Sequence, residues 1–402
     1  MAHTPERPRQ AVILAGGRGT RLAPLTDTRP KPMVEFQGRP FLEYLIGMLR
    51  EQGFERLVLL LGYLPDVVSD YFGDGSRFGV EITYSVTPPE DETGWRVRQA
   101  LRHLDPTFLL MYCDNYWPMP FADMWRRYCE ADAPAMVTVY RNTDGYTRDN
   151  LRIGADGYLE IYDKSRSADG LSGVDIGFLI LRREIIERLP EDNVSFEATL
   201  YPELVLNHEL IAFQTDHRYY SVGDHKRLPL TKIFLAAEPT VILDRDGVLN
   251  VKMPHAKYVR SWRDWQWIDG ALDAICRLSR SGIRVIIVTN QAGIARGAMT
   301  ENDLSDIHRE MIADVEVAGG QISAVYHCPH GWDDGCDCRK PKPGMLYQAQ
   351  RDFHLNLSHT YFLGDDDRDG EAALAAGCPF EKVTETRPLS SIVIPLIKTI
   401  KK

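Results

Sequence analysis

The sequence lacks an apolar run long enough to cross a lipid bilayer, and it lacks an excess of basic residues. Its formal net charge of −10 argues against nucleic acid as a partner, because binding a phosphate backbone requires a basic face. Residues 1–10 are polar and contain no apolar core of a signal peptide. Internal repeats and low-complexity segments are absent from the sequence. We therefore expect a soluble, cytoplasmic protein that contacts neither a membrane nor a nucleic acid.

Cysteine is also scarce, with 7 residues in the chain, and three of them lie close together. Cys328, Cys336 and Cys338 lie within eleven residues that also contain His330. Three thiols and an imidazole form a tetrahedral ligand set that suits structural Zn²⁺. A disulfide is the alternative, but it is disfavoured in a chain without a secretion signal. We predict that zinc orders this loop and takes no part in the chemistry.

The length of the chain predicts more than one domain, because 402 residues are too many for one hydrophobic core. The pattern of residues 228–237 predicts a helix, which Glu238 and Pro239 end just before a new apolar run. We predict two domains, 1–237 and 238–402. Apolar strands alternate with helical segments in both, which indicates two doubly wound α/β domains.

Two carboxylates, Asp244 and Asp246, follow the apolar run 240–243 and precede Gly247. This pattern predicts a buried strand that ends in acids. In an open α/β sheet, ligands bind at the carboxyl ends of the strands, where two acids can hold Mg²⁺ while one attacks phosphorus. A plain Asp-Gly turn after a buried strand is the alternative.

Three later features complete a pattern in residues 240–390. A second apolar strand, 285–288, runs into Thr289 and Asn290, Lys340 follows the cysteine loop, and a third strand ends at Asp365. In this order the motifs resemble those of the haloacid dehalogenase-like phosphatases.

The resemblance implies a nucleophilic Asp244 that forms an aspartyl-phosphate, with Asp246 as general acid and then general base. Asp244, the backbone carbonyl of Asp246 and Asp365 would hold Mg²⁺. Thr289 and Asn290 would donate hydrogen bonds to phosphoryl oxygens, and Lys340 would neutralise charge. Lys342 is an alternative to Lys340 for this last role.

The cysteine loop followed directly by Arg339, Lys340 and Pro341 narrows the resemblance. It is similar to the D-glycero-D-manno-heptose 1,7-bisphosphate phosphatases, with histidinol-phosphate phosphatases as close relatives. A large cap domain does not fit in the spacing, which favours a small substrate. The resemblance implies substrate contacts at Asn250, Tyr258, Gln291 and Arg339.

The first half of the chain opens with an apolar run, 11–15, and a glycine-rich turn, 16–22. The turn is not a dinucleotide fingerprint, because Leu22 stands where a third glycine is needed, and it lacks the Gly-Lys-Ser/Thr of a Walker loop. Together with residues 29–40, it resembles the sugar-1-phosphate nucleotidyltransferases over about residues 10–236. Such enzymes join a nucleoside triphosphate to a sugar 1-phosphate on a Rossmann-like domain.

By this resemblance Asp114 binds Mg²⁺, while Lys31 and Arg18 stabilise charge during transfer. The triphosphate is expected on the turn formed by Leu14, Ala15, Gly16, Gly17, Gly19, Thr20 and Arg21. The sugar and its phosphate are expected near Gly94, Asp163, Lys164 and Asp175.

Two departures from the resemblance lie in this half. Ser221 stands where relatives carry a second metal-binding aspartate, and Asp224 follows three residues later. Trp95 and Arg96 occupy a turn that is usually rich in glycine, so the nucleobase cannot be inherited from the family. Analogy alone favours GTP.

The two halves predict a bifunctional enzyme, because removal of the 7-phosphate leaves the heptose 1-phosphate that a nucleotidyltransferase consumes. Its substrates would be sugar phosphates and nucleoside triphosphates, and its cofactors Mg²⁺ in both domains and Zn²⁺ in the second. Two alternatives stay open: a different small phosphate ester such as histidinol phosphate, and a first domain that only binds a nucleotide sugar as a regulatory module. The oligomeric state, including a homo-oligomer, also stays open.

Overall fold

The computed structural model describes residues 6–254 and 257–401 and divides the chain into two compact units, Met1–Leu235 and Ala236–Lys402. Each unit is built on its own β-sheet. Among the described residues, no helix combines the length and the apolar character needed to cross a bilayer.

The main sheet of unit 1 has seven strands in the order β12-β8-β11-β6-β1-β4-β5, and three two-stranded sheets accompany it. The strands are β1 (Gln10–Ala15), β2 (Glu35–Phe36), β3 (Arg39–Pro40), β4 (Arg56–Leu61), β5 (Glu81–Val86), β6 (Thr107–Tyr112), β7 (Asn115–Tyr116), β8 (Ala135–Tyr140), β9 (Leu151–Ile153), β10 (Leu159–Tyr162), β11 (Val174–Arg182), β12 (Leu210–Thr215) and β13 (Tyr220–Ser221).

Strand β1 pairs in parallel with β4 and β6, and β5 pairs in parallel with β4. All six residues of β1 are buried, as a strand covered on both faces requires. Strand β11 runs antiparallel to β6 and β8, so the sheet is mixed. Because β1 and β6 are parallel neighbours, the glycine-rich turn after β1 and Asp114 after β6 lie at the same edge of the sheet.

Seven helices complete the described part of unit 1, and the apolar residues of the sheet form two cores, one on each face. The helices are α1 (Phe41–Glu51), α2 (Pro65–Phe72), α3 (Thr93–Gln99), α4 (Phe121–Ala131), α5 (Arg183–Glu187), α6 (Phe196–Leu206) and α7 (Leu228–Leu235).

Unit 2 has one parallel sheet of five strands in the order β16-β15-β14-β17-β18. Its elements are β14 (Thr240–Leu243), β15 (Arg284–Asn290), β16 (Ala324–Cys328), β17 (Tyr361–Gly364) and β18 (Phe380–Lys382), with α8 (Ala271–Arg280), α9 (Glu301–Val317), α10 (Gly344–Phe353), α11 (Asp367–Ala376) and α12 (Leu389–Ile400).

Strand β14 lies at the centre of this sheet between β15 and β17, so the acids after β14 and β17 and the polar end of β15 meet at one edge. Each crossover between consecutive strands contains one α-helix in the described residues, and none forms a further sheet there. The predicted fold class, two doubly wound α/β domains, is confirmed.

The core of unit 2 offers a direct test of this packing with two leucines. Leu363 in β17 is 0% exposed, whereas Leu374 in α11 is 72% exposed. Leu363→Ala should lower the free energy of unfolding by about 2–5 kcal/mol, because it leaves a cavity in the core. Leu374→Ala should change the same quantity by less than about 0.5 kcal/mol. Urea unfolding followed by circular dichroism measures both, and equal losses would contradict the packing described here.

Candidate active sites

A buried lysine lies between two carboxylates at the edge of the unit 2 sheet. Lys340 Nζ lies 2.7 Å from Asp244 Oδ1 and 2.7 Å from Asp369 Oδ1, and it donates to the carbonyl of Val288 at 3.2 Å. The side chains of Lys340 and Asp244 are only 4% and 9% exposed. Lys342 instead contacts Gly335 and Asp337 of the cysteine loop, so Lys340 is the lysine that faces Asp244.

The charges of this group act on one another. The pKa of Asp244 is raised to about 7, because burial outweighs the opposing charge of Lys340 and the neighbouring Asp369 and Asp246 act in the same direction as burial. Burial lowers the pKa of Lys340, but the two carboxylates outweigh burial and raise it above its usual value. The lysine is therefore firmly protonated, and its charge favours the anionic form of Asp244.

Asp365 completes a group of three carboxylates with Asp244 and Asp369, whose oxygens lie within 4.8 Å of one another. Oδ1 of Asp365 is buried and has no hydrogen-bond partner among the described residues. Oδ2 of Asp365 accepts a hydrogen bond from Lys252 at 2.6 Å. Carboxylate oxygens in this arrangement suit a hard divalent cation. The sequence pattern did not identify Asp369 as a member of this group of carboxylates.

Asp246 receives hydrogen bonds from four side chains. Arg245 donates to both of its oxygens at 3.0 Å, Asn250 donates at 3.0 Å, Gln291 at 2.8 Å and Thr289 at 3.3 Å. Burial raises the pKa of Asp246, but the Arg245 charge and the hydrogen bonds outweigh burial and lower it. Asp246 is therefore held as a carboxylate in a fixed orientation.

Two side chains that were expected to face a phosphoryl group have protein partners. The amide of Asn290 accepts from the backbone N–H of Lys340 at 3.1 Å and donates to the carbonyl of Lys340 at 3.0 Å. Thr289 is 0% exposed, and its hydroxyl contacts Asp246 and Gln291. In this structure Asn290 positions Lys340, and Thr289 positions Asp246.

A cavity of about 310 Å³ opens beside these groups, and we call it the unit 2 cavity. Tyr258 and Arg339 line it, as expected from the sequence, and Trp332 of the cysteine loop lines it as well. Four further cations, to which the sequence assigned no individual role, also line it. These are Arg245, Lys252, Lys257 and Arg368.

The predicted cysteine and histidine ligands are brought together. Sγ of Cys336 lies 3.7 Å from Sγ of Cys328 and 3.6 Å from Sγ of Cys338. Nδ1 of His330 lies 3.6 Å from Cys328 Sγ and 3.2 Å from Cys338 Sγ. Thiolates bound to zinc at about 2.3 Å in a tetrahedron lie about 3.8 Å apart, far longer than a disulfide bond of about 2.0 Å. The four atoms therefore have the spacing of a metal site.

A cavity of about 380 Å³, the unit 1 cavity, lies at the edge of the first sheet. Lys31 Nζ and Asp114 Oδ2 lie 2.5 Å apart there, with side chains 13% and 25% exposed. The cavity is lined by Leu14, Gly16, Gly17, Gly19, Thr20, Arg21, Lys31, Pro89, Glu90, Asp91, Glu92, Thr93, Arg96, Tyr112, Cys113, Asp114 and Gly223.

Three of the residues expected to contact the substrates of unit 1 do not line the unit 1 cavity. Ala15 is buried in β1 and does not line the unit 1 cavity. Gly94 packs with its backbone against Val194 and donates to the carbonyl of that residue at 2.9 Å. Arg18 lies outside the lining as well and forms an ion pair with Glu90 at 2.8 Å.

Two of the residues expected near the sugar, Lys164 and Asp175, form a second cluster with Glu197. Lys164 Nζ lies 3.0 Å from Glu197, and the charge of Glu197 acts on the partly buried Asp175. The pKa of Asp175 is raised to about 7, first by desolvation of its carboxyl group and then by the charge of Glu197. Asp163 is turned away from this cluster, because its carboxylate accepts hydrogen bonds from its own loop at Ser165, Ser167 and Ala168.

Ser221 and Asp224 each have hydrogen-bond partners within their own segments. Ser221 pairs with Asn115 across β7 and β13, and its hydroxyl accepts from the N–H of Gly223 at 2.9 Å. The carboxylate of Asp224 accepts from the backbone N–H groups of residues 226 and 227, before α7. The hydroxyl of Ser221 and the carboxylate of Asp224 thus accept hydrogen bonds from backbone N–H groups of their own segments.

Comparison with known proteins supports both halves. Residues 10–148 match the family model described as nucleotidyl transferase, and residues 240–374 match that described as polynucleotide kinase 3 phosphatase. A D-glycero-beta-D-manno-heptose-1,7-bisphosphate 7-phosphatase of Pseudomonas putida is 44% identical over 137 residues, covering 34% of this chain and 77% of the relative. The chain belongs to this heptose-bisphosphate phosphatase family.

A second phosphatase of the same name, from Pseudomonas aeruginosa, is 44% identical over 138 residues, covering 34% of this chain and 76% of the relative. A Bacillus anthracis protein assigned as a glucose-1-phosphate thymidylyltransferase shares the fold, with 19% identity and a TM-score of 0.50 over 56% of this chain and 93% of that one. The expected fusion of a nucleotidyltransferase domain with a haloacid dehalogenase-like phosphatase domain is confirmed, and the chain is an enzyme with transferase and hydrolase halves.

The phosphatase site requires a glycine at position 247. This residue has a φ of +93°, and a Cβ atom there would overlap the Asp365 carboxylate. Gly282 has a similar φ of +72° but open space around it. Gly247→Ala should therefore lower the free energy of unfolding by about 1–3 kcal/mol more than Gly282→Ala, because only the first adds an overlap to the backbone strain. Chemical unfolding of the two variants checks this, and equal values would refute the close approach of Asp365.

Proposed function

We propose that unit 2 removes the 7-phosphate of D-glycero-D-manno-heptose 1,7-bisphosphate through an aspartyl-phosphate on Asp244. The observation that carries this proposal is the contact of Lys340 with both Asp244 and Asp369, next to the unpartnered oxygen of Asp365. The relatives at 44% identity that bear this activity in their names support the substrate.

In the first step, an oxygen of Asp244 attacks phosphorus and the bond from phosphorus to the sugar oxygen breaks. Lys340 offsets the charge that builds up on the phosphoryl oxygens. Asn290 keeps Lys340 in place through the two hydrogen bonds to its backbone. A Mg²⁺ ion held by Asp244, Asp365 and the carbonyl of Asp246 would reduce the repulsion between nucleophile and phosphate.

Asp246 serves as acid and then as base in this scheme. An incoming phosphate anion raises the pKa of Asp246, which lets the residue carry the proton that the leaving sugar oxygen needs. After the sugar leaves, Asp246 is a carboxylate again, and it takes a proton from the water that attacks phosphorus. The bond from phosphorus to the Asp244 oxygen then breaks, which releases inorganic phosphate and restores the Asp244 carboxylate. Arg245 and Gln291 hold it in the orientation that both steps require.

For unit 1 we propose transfer of a nucleotidyl group to heptose 1-phosphate with release of pyrophosphate. The contact of Lys31 with Asp114 supports this role, because it lies in a cavity that the glycine-rich turn helps to line. Lys31 would stabilise the α-phosphate during in-line displacement, and Asp114 would hold Mg²⁺. The cluster of Lys164, Glu197 and Asp175 would contact the sugar phosphate.

The two activities join in one sequence of steps. Hydrolysis of the 7-phosphate yields heptose 1-phosphate, and unit 1 converts that product into a nucleotide-activated heptose. GTP is the nucleotide we propose, by analogy with guanylyltransferases of this fold. Ser221 favours a second candidate for unit 1, a module that binds a nucleotide sugar without turnover, because it stands where relatives carry the second metal-binding aspartate.

The central experiment separates the two sites by mutation. Asp244→Asn should lower phosphate release from the heptose bisphosphate by about a thousandfold or more, because the nucleophile is lost, and leave pyrophosphate release from heptose 1-phosphate unchanged. Lys31→Ala should lower pyrophosphate release by about a hundredfold or more and spare phosphate release. Each NTP is supplied in turn, with GTP expected to give product.

Matched controls are Asp306→Asn and Lys226→Ala, which change exposed residues of the same types. Loss of both activities in either active-site variant would contradict two separate sites. A wild-type protein that releases no pyrophosphate with any NTP would favour the binding module for unit 1. Product from another NTP but not from GTP would overturn the base assignment.

We also propose that the group formed by Cys328, His330, Cys336 and Cys338 holds one structural Zn²⁺. Cys336→Ser should lose the metal, whereas Cys378→Ser, which changes a buried cysteine outside the group, should keep it. Elemental analysis of the purified proteins by mass spectrometry measures the zinc content per chain. Equal zinc in both variants would argue against this site.

A further inference from the structure

Arg96, in the first turns of α3, is a buried cation in unit 1 that the proposed mechanism does not use. It is 3% exposed and lines the unit 1 cavity. A Cβ atom at Gly16 or at Gly62 would overlap its guanidinium group. The guanidinium therefore lies directly against the glycine-rich turn that is expected to bind phosphate, and only glycine leaves room for it at these two positions.

The hydrogen bonds of Arg96 join three segments around the cavity. Nη1 donates to the carbonyl of Leu61 at 2.9 Å and to the hydroxyl of Thr87 at 2.6 Å. Nη2 donates to the carbonyl of Pro88 at 2.7 Å, and Nε donates to the carbonyl of Asp91 at 3.0 Å. Arg96 thus fixes the cavity wall relative to the end of β4.

That wall is acidic, since Glu90, Asp91 and Glu92 all line the unit 1 cavity. Three neighbouring carboxylates would repel a triphosphate strongly at such short range. Glu90 is paired with Arg18, and its charge is offset in that way. Each described hydrogen bond of Arg96 is accepted by a neutral oxygen. The positive charge of Arg96 is therefore not neutralised by a direct ion pair, and it can attract both the carboxylates of the wall and a bound anion.

We propose that Arg96 is a positioning residue of the nucleotide site, which holds the acidic wall in place and offsets its charge so that a polyphosphate can bind beside Gly16. The inference rests on the proposed nucleotidyl transfer by unit 1. It assigns a use to one of the two residues that depart from the glycine-rich pattern of the resembling family.

The proposal predicts a graded effect. A charge that acts on phosphates should matter more as the ligand carries more of them. Arg96→Gln should weaken nucleoside triphosphate binding by about tenfold or more, weaken diphosphate and monophosphate binding progressively less, and leave nucleoside binding unchanged. Arg96→Lys, which keeps the charge and loses most of the hydrogen bonds, should weaken the triphosphate less than Arg96→Gln does.

Isothermal titration calorimetry of the full chain with Mg²⁺ measures this series. The base is the one whose triphosphate binds the wild type most tightly. Arg98→Gln is the matched control, because Arg98 lies on the same helix and donates to Leu189 and Glu191 instead of to the cavity wall. Arg98→Gln should retain the wild-type affinities. Circular dichroism confirms that each variant is folded.

Two results would overturn the inference alone. Equal weakening across nucleoside, monophosphate, diphosphate and triphosphate would mean that Arg96 has only a structural role. Wild-type affinities throughout the series in Arg96→Gln would mean that it has none at this site. A wild-type chain that binds no nucleotide at all would instead defeat the proposed function of unit 1, and this inference with it.

Discussion

The phosphatase site depends on the ion pairs that the buried ammonium group of Lys340 forms with Asp244 and Asp369. A charge that is 4% exposed is stable only with partners, and Lys340 has two carboxylates and a carbonyl. The partners come from different elements: Asp244 follows β14, Asp369 lies in α11, and Asn290 of β15 holds the lysine backbone. Lys340 therefore connects the end of β14, strand β15 and the start of α11 at the edge where the carboxylates would otherwise repel one another.

The sequence predicted this edge well where chain order decides the outcome. The resemblance of its motifs in chain order placed Asp244, Asp365 and Lys340 in one site, and the structure explains the meeting of the two acids because β14 and β17 are parallel neighbours. Asp369 could not be found in this way, because it looks like one more acid in a helix that begins with several. Gly364 leaves room for its carboxylate, which also accepts a hydrogen bond from the backbone N–H of Asp366 at 3.1 Å.

Side-chain direction was the harder part to predict. Thr289 and Asn290 were expected to point at a phosphoryl group, yet their polar atoms contact Asp246 and Lys340. Alternation along a strand fixes the face on which a residue lies, but its partner depends on neighbours that arrive from distant parts of the chain. Asp163 illustrates the same limit, since its carboxylate accepts hydrogen bonds from the backbone N–H groups of its own loop.

Both units place a lysine beside a carboxylate at the end of a strand, but the two lysines differ in the number of carboxylate partners and in exposure. In each, a lysine neutralises an acid at a strand end, but Lys340 lies between two acids and Lys31 contacts one, Asp114, with a more exposed side chain. Lys340 keeps Asp369 as a buried partner even when Asp244 acts as the nucleophile. A lysine with one partner can exchange it for an incoming phosphate once a divalent cation takes over the carboxylate. That difference suits a site whose anion is large and must be bound and released with its metal at each turnover.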